Sequence, residues 1–166
     1  SASYKTWPFI LSQKLNLDLY SLAVGGGKVS IPAAGLLKDF PQVDIITLLI
    51  GYNDLNSGIS PDDFAKKYKE FLSICSQAQP TSKIYCISPL FSKTLKSKKS
   101  EHTLEQFRQA VINTVTNFQS LNKNIILIKG DSISSEKNLR EDSKDPVHLG
   151  ISGAKMLADE LSKIIK

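Results

Sequence analysis

Three short segments of the sequence carry side chains or backbone groups that can do chemistry. The first is Asp145-Pro146-Val147-His148. A carboxylate and an imidazole three residues apart, in a turn ahead of a helix, can fold onto one another. The carboxylate then accepts from Nδ1–H and leaves Nε2 to take a proton from a nucleophile. A histidine ahead of a helix also serves as a plain surface or capping residue, so the spacing alone leaves both roles open. The second segment is Gly51-Tyr52-Asn53-Asp54, where Asn53 offers an amide donor. Asn and Asp after Gly are equally good turn formers. The third is Gly25-Gly26-Gly27-Lys28. Three glycines allow unusual backbone conformations and close approach of a ligand, so that exposed N–H groups can bind an oxyanion. This loop fails both of the common nucleotide-cradle motifs. Leu22 stands where a Walker A motif needs its first glycine and Val29 where it needs Ser or Thr. Ser30 stands at the third glycine position of a dinucleotide motif begun at Gly25 and Gly27.

The elements that must position these segments follow from periodicity and punctuation. Residues 6–15 read as a helix with Pro8 in its first turn. Residues 17–24 read as a strand running into the glycines, and 31–37 as a short helix. Residues 43–50 form a nearly continuous apolar run between Pro41 and Gly51, the pattern of a strand buried on both faces. Ser60-Pro61-Asp62-Asp63 is a helix start, with a capping hydroxyl, proline at the first position and acids at the positive end of the dipole. That helix runs to about Gln79 and stops at Pro80. A strand over 83–87, a loop over 92–100, a helix over 102–121 and a strand over 124–128 follow. A last helix over 150–165 has Ile151, Met156, Leu157, Leu161, Ile164 and Ile165 on one side. Alternating strands and helices imply βαβ units, an α/β fold with a parallel sheet and helices on both its faces. Function in such sheets sits at the carboxyl ends of the strands, where all three segments fall.

Composition narrows the class. The chain has 166 residues, 41% hydrophobic and 22% charged, as expected of a single globular domain spanning 1–166. No apolar run is long enough to span a membrane. Residues 1–5 lack the apolar core of a signal peptide, which leaves the compartment open between cytoplasmic and secreted. The net charge is +5, and Lys93, Lys96, Lys98 and Lys99 are clustered. No aromatic interleaves them, so the stretch reads as a solvated loop and nucleic acid is not an expected partner. Cys75 and Cys86 form no CxxC, and His102 and His148 cannot make an HExxH. No metal site is expected, and the two cysteines read as buried free thiols.

Taken together, the segments resemble the SGNH (GDSL-type) esterase/acylhydrolase superfamily. Leu22-Ala23-Val24-Gly25-Gly26-Gly27 is similar to its second block, Ile50-Gly51-Tyr52-Asn53-Asp54 to its G-x-N-D block, and Asp145-Pro146-Val147-His148-Leu149 to its D-x-x-H block. Trp7-Pro8-Phe9-Ile10-Leu11 is similar to the helix that follows its nucleophile loop. The resemblance implies a three-layer α/β/α, flavodoxin-like fold. It implies that His148 and Asp145 are triad members and that Gly26 and Asn53 form an oxyanion hole, all converging on one pocket. It implies a small-molecule or carbohydrate ester as substrate, with the carbohydrate O-acetylesterase branch the one most resembled, and no metal or organic cofactor.

The chain departs from the family at one place. The family opens with a strand ending in G-D-S or G-x-S, whose serine is the nucleophile and whose position is central in the sheet. That strand should precede Ser1, so the resemblance leads us to expect an N-terminally incomplete domain without its first central strand. Strands over 17–24 and 43–50 would then face a gap with unpaired backbone edges. Either something outside the chain fills the gap or the strand assignment does not hold. A serine upstream of Ser1 is the favoured nucleophile. Ser132 of Gly130-Asp131-Ser132 and Ser1 itself are the substitutes within the chain. The expected activity is ester hydrolysis through an acyl-enzyme. The rival expectations are an inactive SGNH-like module that binds glycan or lipid, and a flavodoxin-like phosphate or nucleotide binder. Acyl length, alcohol identity and oligomeric state are not legible in the sequence.

Overall fold

The computed structural model describes residues 3–141 and 145–166. These fall into two compact units. One comprises 23–89 and 95–129, and the other 3–22, 90–94 and the described part of 130–166.

The first unit is built on a parallel sheet of β1 (Ile45–Leu49), β2 (Lys83–Ile87) and β3 (Ile125–Ile128), in the order β1-β2-β3. The register runs Ile45 against Lys83 to Leu49 against Ile87, and Ile84 against Ile125 to Ile87 against Ile128. Parallel neighbours require crossovers, and helices supply them. Helix α4 (Pro61–Ala78) joins β1 to β2 and α5 (Leu104–Gln119) joins β2 to β3. The start of α4 is the predicted one, with Ser60 Oγ accepting from Asp63 N–H at 3.1 Å. Helix α5 begins two residues later than the pattern suggested. Thr103 and Gln106 form a reciprocal capping box there and settle the boundary. Phe64, Tyr68, Phe71, Leu72 and Cys75 form the buried stripe of α4, spaced as one face of a helix. Phe107, Val111 and Val115 meet it from α5, with the Phe64 and Phe107 rings 5.0 Å apart between centroids. Short helices α2 (Ile31–Gly35) and α3 (Tyr52–Leu55) complete this unit, together with a 3-10 turn over Leu36–Asp39.

In the second unit, α1 (Trp7–Leu15) packs on α6 (Ile151–Ile164), with Lys14 Nζ 2.7 Å from Asp159 Oδ1.

Three expectations are corrected. Residues 17–24 form no strand: they run irregularly, with Leu19, Tyr20, Leu22 and Val24 exposed. A strand is held by its neighbour's backbone. β1 pairs with β2 on one side only, and no other strand pairs with it among the described residues. Burial on both faces belongs to β2, where Ile84, Tyr85, Cys86 and Ile87 are all buried, whereas β1 alternates between half-buried and buried positions. A central strand is covered on both faces, and an edge strand need not be. On α6, the buried positions are Gly153, Ala154, Leu157, Ala158 and Leu161, while Ile151, Met156 and Ile164 are exposed. Small residues let the neighbouring backbone come close, so Gly153, Ala154 and Ala158 share the packed face with the expected Leu157, Leu161 and Ile165.

Cys75 and Cys86 are free and buried, and burial pushes both thiols up to about 12. The thiolate is the reactive form. Neither cysteine should therefore react with Ellman's reagent over minutes in the folded protein, and both should react once guanidinium unfolds it. Rapid native labelling would contradict the packing of β2 against α4.

Candidate active site

The Asp145–His148 turn lies in the α1/α6 unit. Its shape is dictated by one carboxylate. Asp145 Oδ1 accepts from Val147 N–H at 3.2 Å and from His148 N–H at 3.0 Å, closing the turn on itself. His148 Nδ1 lies 2.9 Å from each carboxylate oxygen. The His148 backbone N–H is the foremost of the donors that hold Asp145 down at about 2, followed by the His148 ring and the Val147 N–H. The carboxylate is thus ionised at any working pH. An ionised carboxylate only accepts, so the proton must sit on Nδ1 and the neutral ring has its lone pair at Nε2. No residue among those described hydrogen-bonds Nε2, and the His148 side chain is 71% exposed. A histidine so held can take a proton from a hydroxyl and return it.

Further groups brace this turn, and sequence reading did not identify them. Arg140 Nη1 lies 3.0 Å from Asp145 Oδ2, and Arg140 N–H donates to His148 O at 3.0 Å. Leu139 and Leu149 form an antiparallel bridge, and Gly150 N–H donates to Asn138 O at 3.0 Å. Asn138 is buried, and its Nδ2 donates to Gly153 O at 3.0 Å. A Cβ on Gly153 would lie 1.8 Å from Asn138 O, so only glycine lets α6 approach the 138–140 segment. The bridge joins residues ten apart through a loop, a pairing that no local pattern announces. Its one trace is the run of glycines at 150 and 153.

Gly26 and Asn53 lie in the sheet unit. β1 ends at Leu49, and Gly51 turns the chain with φ 127°, a conformation that favours glycine. A Cβ there would also lie 3.1 Å from Pro89 Cγ. Asn53 therefore sits in the first turn beyond the carboxyl end of a strand, as expected, and is exposed. Val24 to Gly27 form a turn closed by Gly27 N–H donating to Val24 O at 3.0 Å, with Gly26 at φ 72°. Asn53 Nδ2 donates to Gly27 O at 2.9 Å. Because that carbonyl only accepts, the amide orientation is determined, and no described residue takes the second Nδ2 hydrogen.

The structure thus joins Asp145 to His148, and Gly26's turn to Asn53. Ser132 ends a 3-10 turn after β3 and is exposed. Ser1 lies outside the described residues.

Two measurements probe this geometry. Gly153→Ala should lower unfolding free energy by more than about 2 kcal/mol, the scale of forced overpacking, as read by urea denaturation. A change near zero would mean that the 138–140 segment is not seated on α6. Asp145 has a folded value below its unfolded one, so its contribution is present above about 3.9 and disappears as pH falls through about 2. The melting temperature of Asp145→Asn should therefore lie below that of the parent at pH 6. The difference should close between about pH 4 and 2.

Comparisons agree with the fold. The family described as "GDSL-like Lipase/Acylhydrolase family" matches residues 1–156. No curated protein matches the chain. Among solved structures, the salicylyl-acyltransferase SsfX3 from a tetracycline biosynthetic pathway aligns with TM-score 0.81 and 22% identity, over 97% of this chain and 48% of that one. The M. smegmatis aryl esterase aligns with TM-score 0.72 and 16% identity, over 99% and 86%. Est24, a carbohydrate acetylesterase from Sinorhizobium meliloti, aligns with TM-score 0.70 and 12% identity, over 98% and 85%. The chain thus spans about half the length of the acyltransferase. These likenesses establish the three-layer α/β/α fold of SGNH hydrolases, and the match over residues 1–156 establishes that the chain belongs to the GDSL-like lipase/acylhydrolase family.

Proposed function

We propose that this protein is a serine esterase, cleaving small acyl or O-acetyl esters of a lipid or carbohydrate through an acyl-enzyme. The observation that carries this reading is the Asp145–His148 contact, which leaves Nε2 without a partner among the described residues. Support for an ester as substrate comes from the family and from the names of the aryl esterase and the carbohydrate acetylesterase.

In the proposed reaction a serine hydroxyl attacks the ester carbonyl carbon, and His148 Nε2 takes its proton. The carbonyl π electrons move to oxygen, and the Gly26 N–H and the free Asn53 Nδ2 hydrogen bind that oxyanion. Collapse expels the alkoxide, which leaves as the alcohol with the proton from His148. Water then attacks the acyl-enzyme by the same route, releasing acid and restoring serine. Asp145 keeps the imidazole in one tautomer and stabilises the imidazolium. The serine is the one the family carries in its first block, and Ser132 and Ser1 are the alternatives. No step calls for a metal or an organic cofactor.

His148→Ala in the full-length protein should abolish hydrolysis of p-nitrophenyl acetate, whereas Lys98→Ala, on an exposed loop, should not change it. Equal activity in the His148 variant would sink the assignment. Asn53→Ala should lower kcat by on the order of 10²–10³ with KM nearly unchanged, the loss expected for one oxyanion donor. A pure KM effect would make Asn53 a turn residue. Stoichiometric labelling by a fluorophosphonate separates an enzyme from an inactive glycan- or lipid-binding module, which would not label.

A further inference from the structure

The glycine turn before Lys28 has almost nothing to hold its shape. Gly25 and Gly26 are exposed, and a Cβ built on either would meet no atom within 4 Å. Val24, at its entry, is 74% exposed. Apolar packing resumes only at Val29 and Ile31, which lie against the core. Ordering three glycines is entropically costly, because glycine has the most backbone freedom to lose. A turn without packing must be held by polar tethers.

Two such tethers leave adjacent residues of α3. Asn53 takes Gly27 O, as described above. Asp54 takes the chain two residues on: Val29 N–H donates to Asp54 Oδ1 at 3.1 Å and to Oδ2 at 3.3 Å. Asp54 is only 2% exposed. Burial raises its carboxyl above the ordinary aspartate value, against the opposing effects of the Val29 N–H and of the Lys28 and Lys67 charges. A buried acid that caps nothing but its own short turn would be a poor choice there. This one spans twenty-five residues to reach a single backbone donor at the exit of the turn.

We propose that Asp54 is a positioning residue, whose carboxylate, by fixing Val29 N–H while Asn53 fixes Gly27 O, holds the glycine turn in the shape that presents Gly26 to an oxyanion. This rests on the oxyanion-binding role proposed above for Gly26 and Asn53. Asp54 itself touches no reacting atom. Its loss should let the turn sample other conformations and misplace the Gly26 N–H, and misplacement by about 1 Å can cost on the order of 10² in rate.

The test compares Asp54→Ala and Asp54→Asn in the full-length protein, using kcat and KM on p-nitrophenyl acetate and amide hydrogen exchange at Gly26, Gly27 and Val29. Asp54→Ala should lower kcat roughly tenfold to a hundredfold with KM within about threefold, and should lose protection at Val29. Asp54→Asn keeps an oxygen that can accept from Val29 N–H, so it should recover most of the lost kcat and the protection. Because the carboxyl's folded value is raised, its stabilising contribution is present at acid pH and lost as pH rises through that value. Asp54→Asn should accordingly be less destabilising at pH 7 than at pH 4, so an Asn variant that stays folded and active supports the tether. If Asp54→Ala does not fold, Asp54→Asn decides alone: a tenfold loss of kcat together with lost Val29 protection would overturn an acceptor role. Unchanged exchange at Val29 in a folded Asp54→Ala would overturn the proposal outright. If the parent hydrolyses no ester, the esterase reading fails, and the exchange data still test the tether.

Discussion

The charge on Asp145 is the constraint on which the candidate site depends. Four donors converge on this one side chain: two backbone N–H groups of its own turn, the His148 ring and the Arg140 guanidinium. All four can be satisfied at once only by an ionised carboxylate, and together they make ionisation the favoured state. That charge determines the histidine tautomer, and the tautomer determines which ring nitrogen has a lone pair. A neutral amide at 145 can occupy the same volume and still fill one or two of these roles. It cannot favour an imidazolium, which is why a carboxylate rather than an isosteric amide suits a proton-transferring histidine.

The turn is precise because the backbone around it is held at long range. Segments 138–140 and 148–150 lie antiparallel, tied by the Leu139–Leu149 bridge and by Arg140 N–H on His148 O. Asn138 then fastens the first segment to α6 through Gly153. A missing Cβ is what permits this close approach. An exposed imidazole is thus oriented by a hydrogen-bonded base: the ring is open to solvent while Asp145 and the backbone beneath it are tied by hydrogen bonds.

The glycine turn of the sheet unit answers a similar need differently. It has no side chains with which to pack, so its order comes from hydrogen bonds donated or accepted by α3, the helix that begins where β1 ends. Such tethers cost little volume and leave backbone N–H groups uncovered. The price is a buried carboxylate in Asp54, which must be compensated by the Val29 N–H and the neighbouring lysines. Strand, tight glycine at 51 and short helix follow one another directly and place both Asn53 and Asp54 on α3.

What residues near in sequence could settle was legible in the chain alone. Ser60-Pro61 starts a helix and Pro80 follows its end, because caps and proline act over three or four residues. β2 has the predicted bounds, its apolar run being read between clear breaks. Asp145 and His148 meet as their spacing allows, a turn that short bringing the two side chains within reach. Partners remote in sequence were not legible. Nothing local ties Arg140 to His148's turn, and Asp54 reads from sequence as a turn former with no sign that its carboxylate accepts from Val29 N–H. Residues 17–24 have the composition of a strand, yet pairing requires a neighbour's backbone, and composition cannot provide one. The buried face of α6 was legible only in part, with Leu157, Leu161 and Ile165 buried but Ile151, Met156 and Ile164 exposed, for the same reason: hydrophobicity belongs to a residue, whereas burial depends on what the rest of the chain places against it.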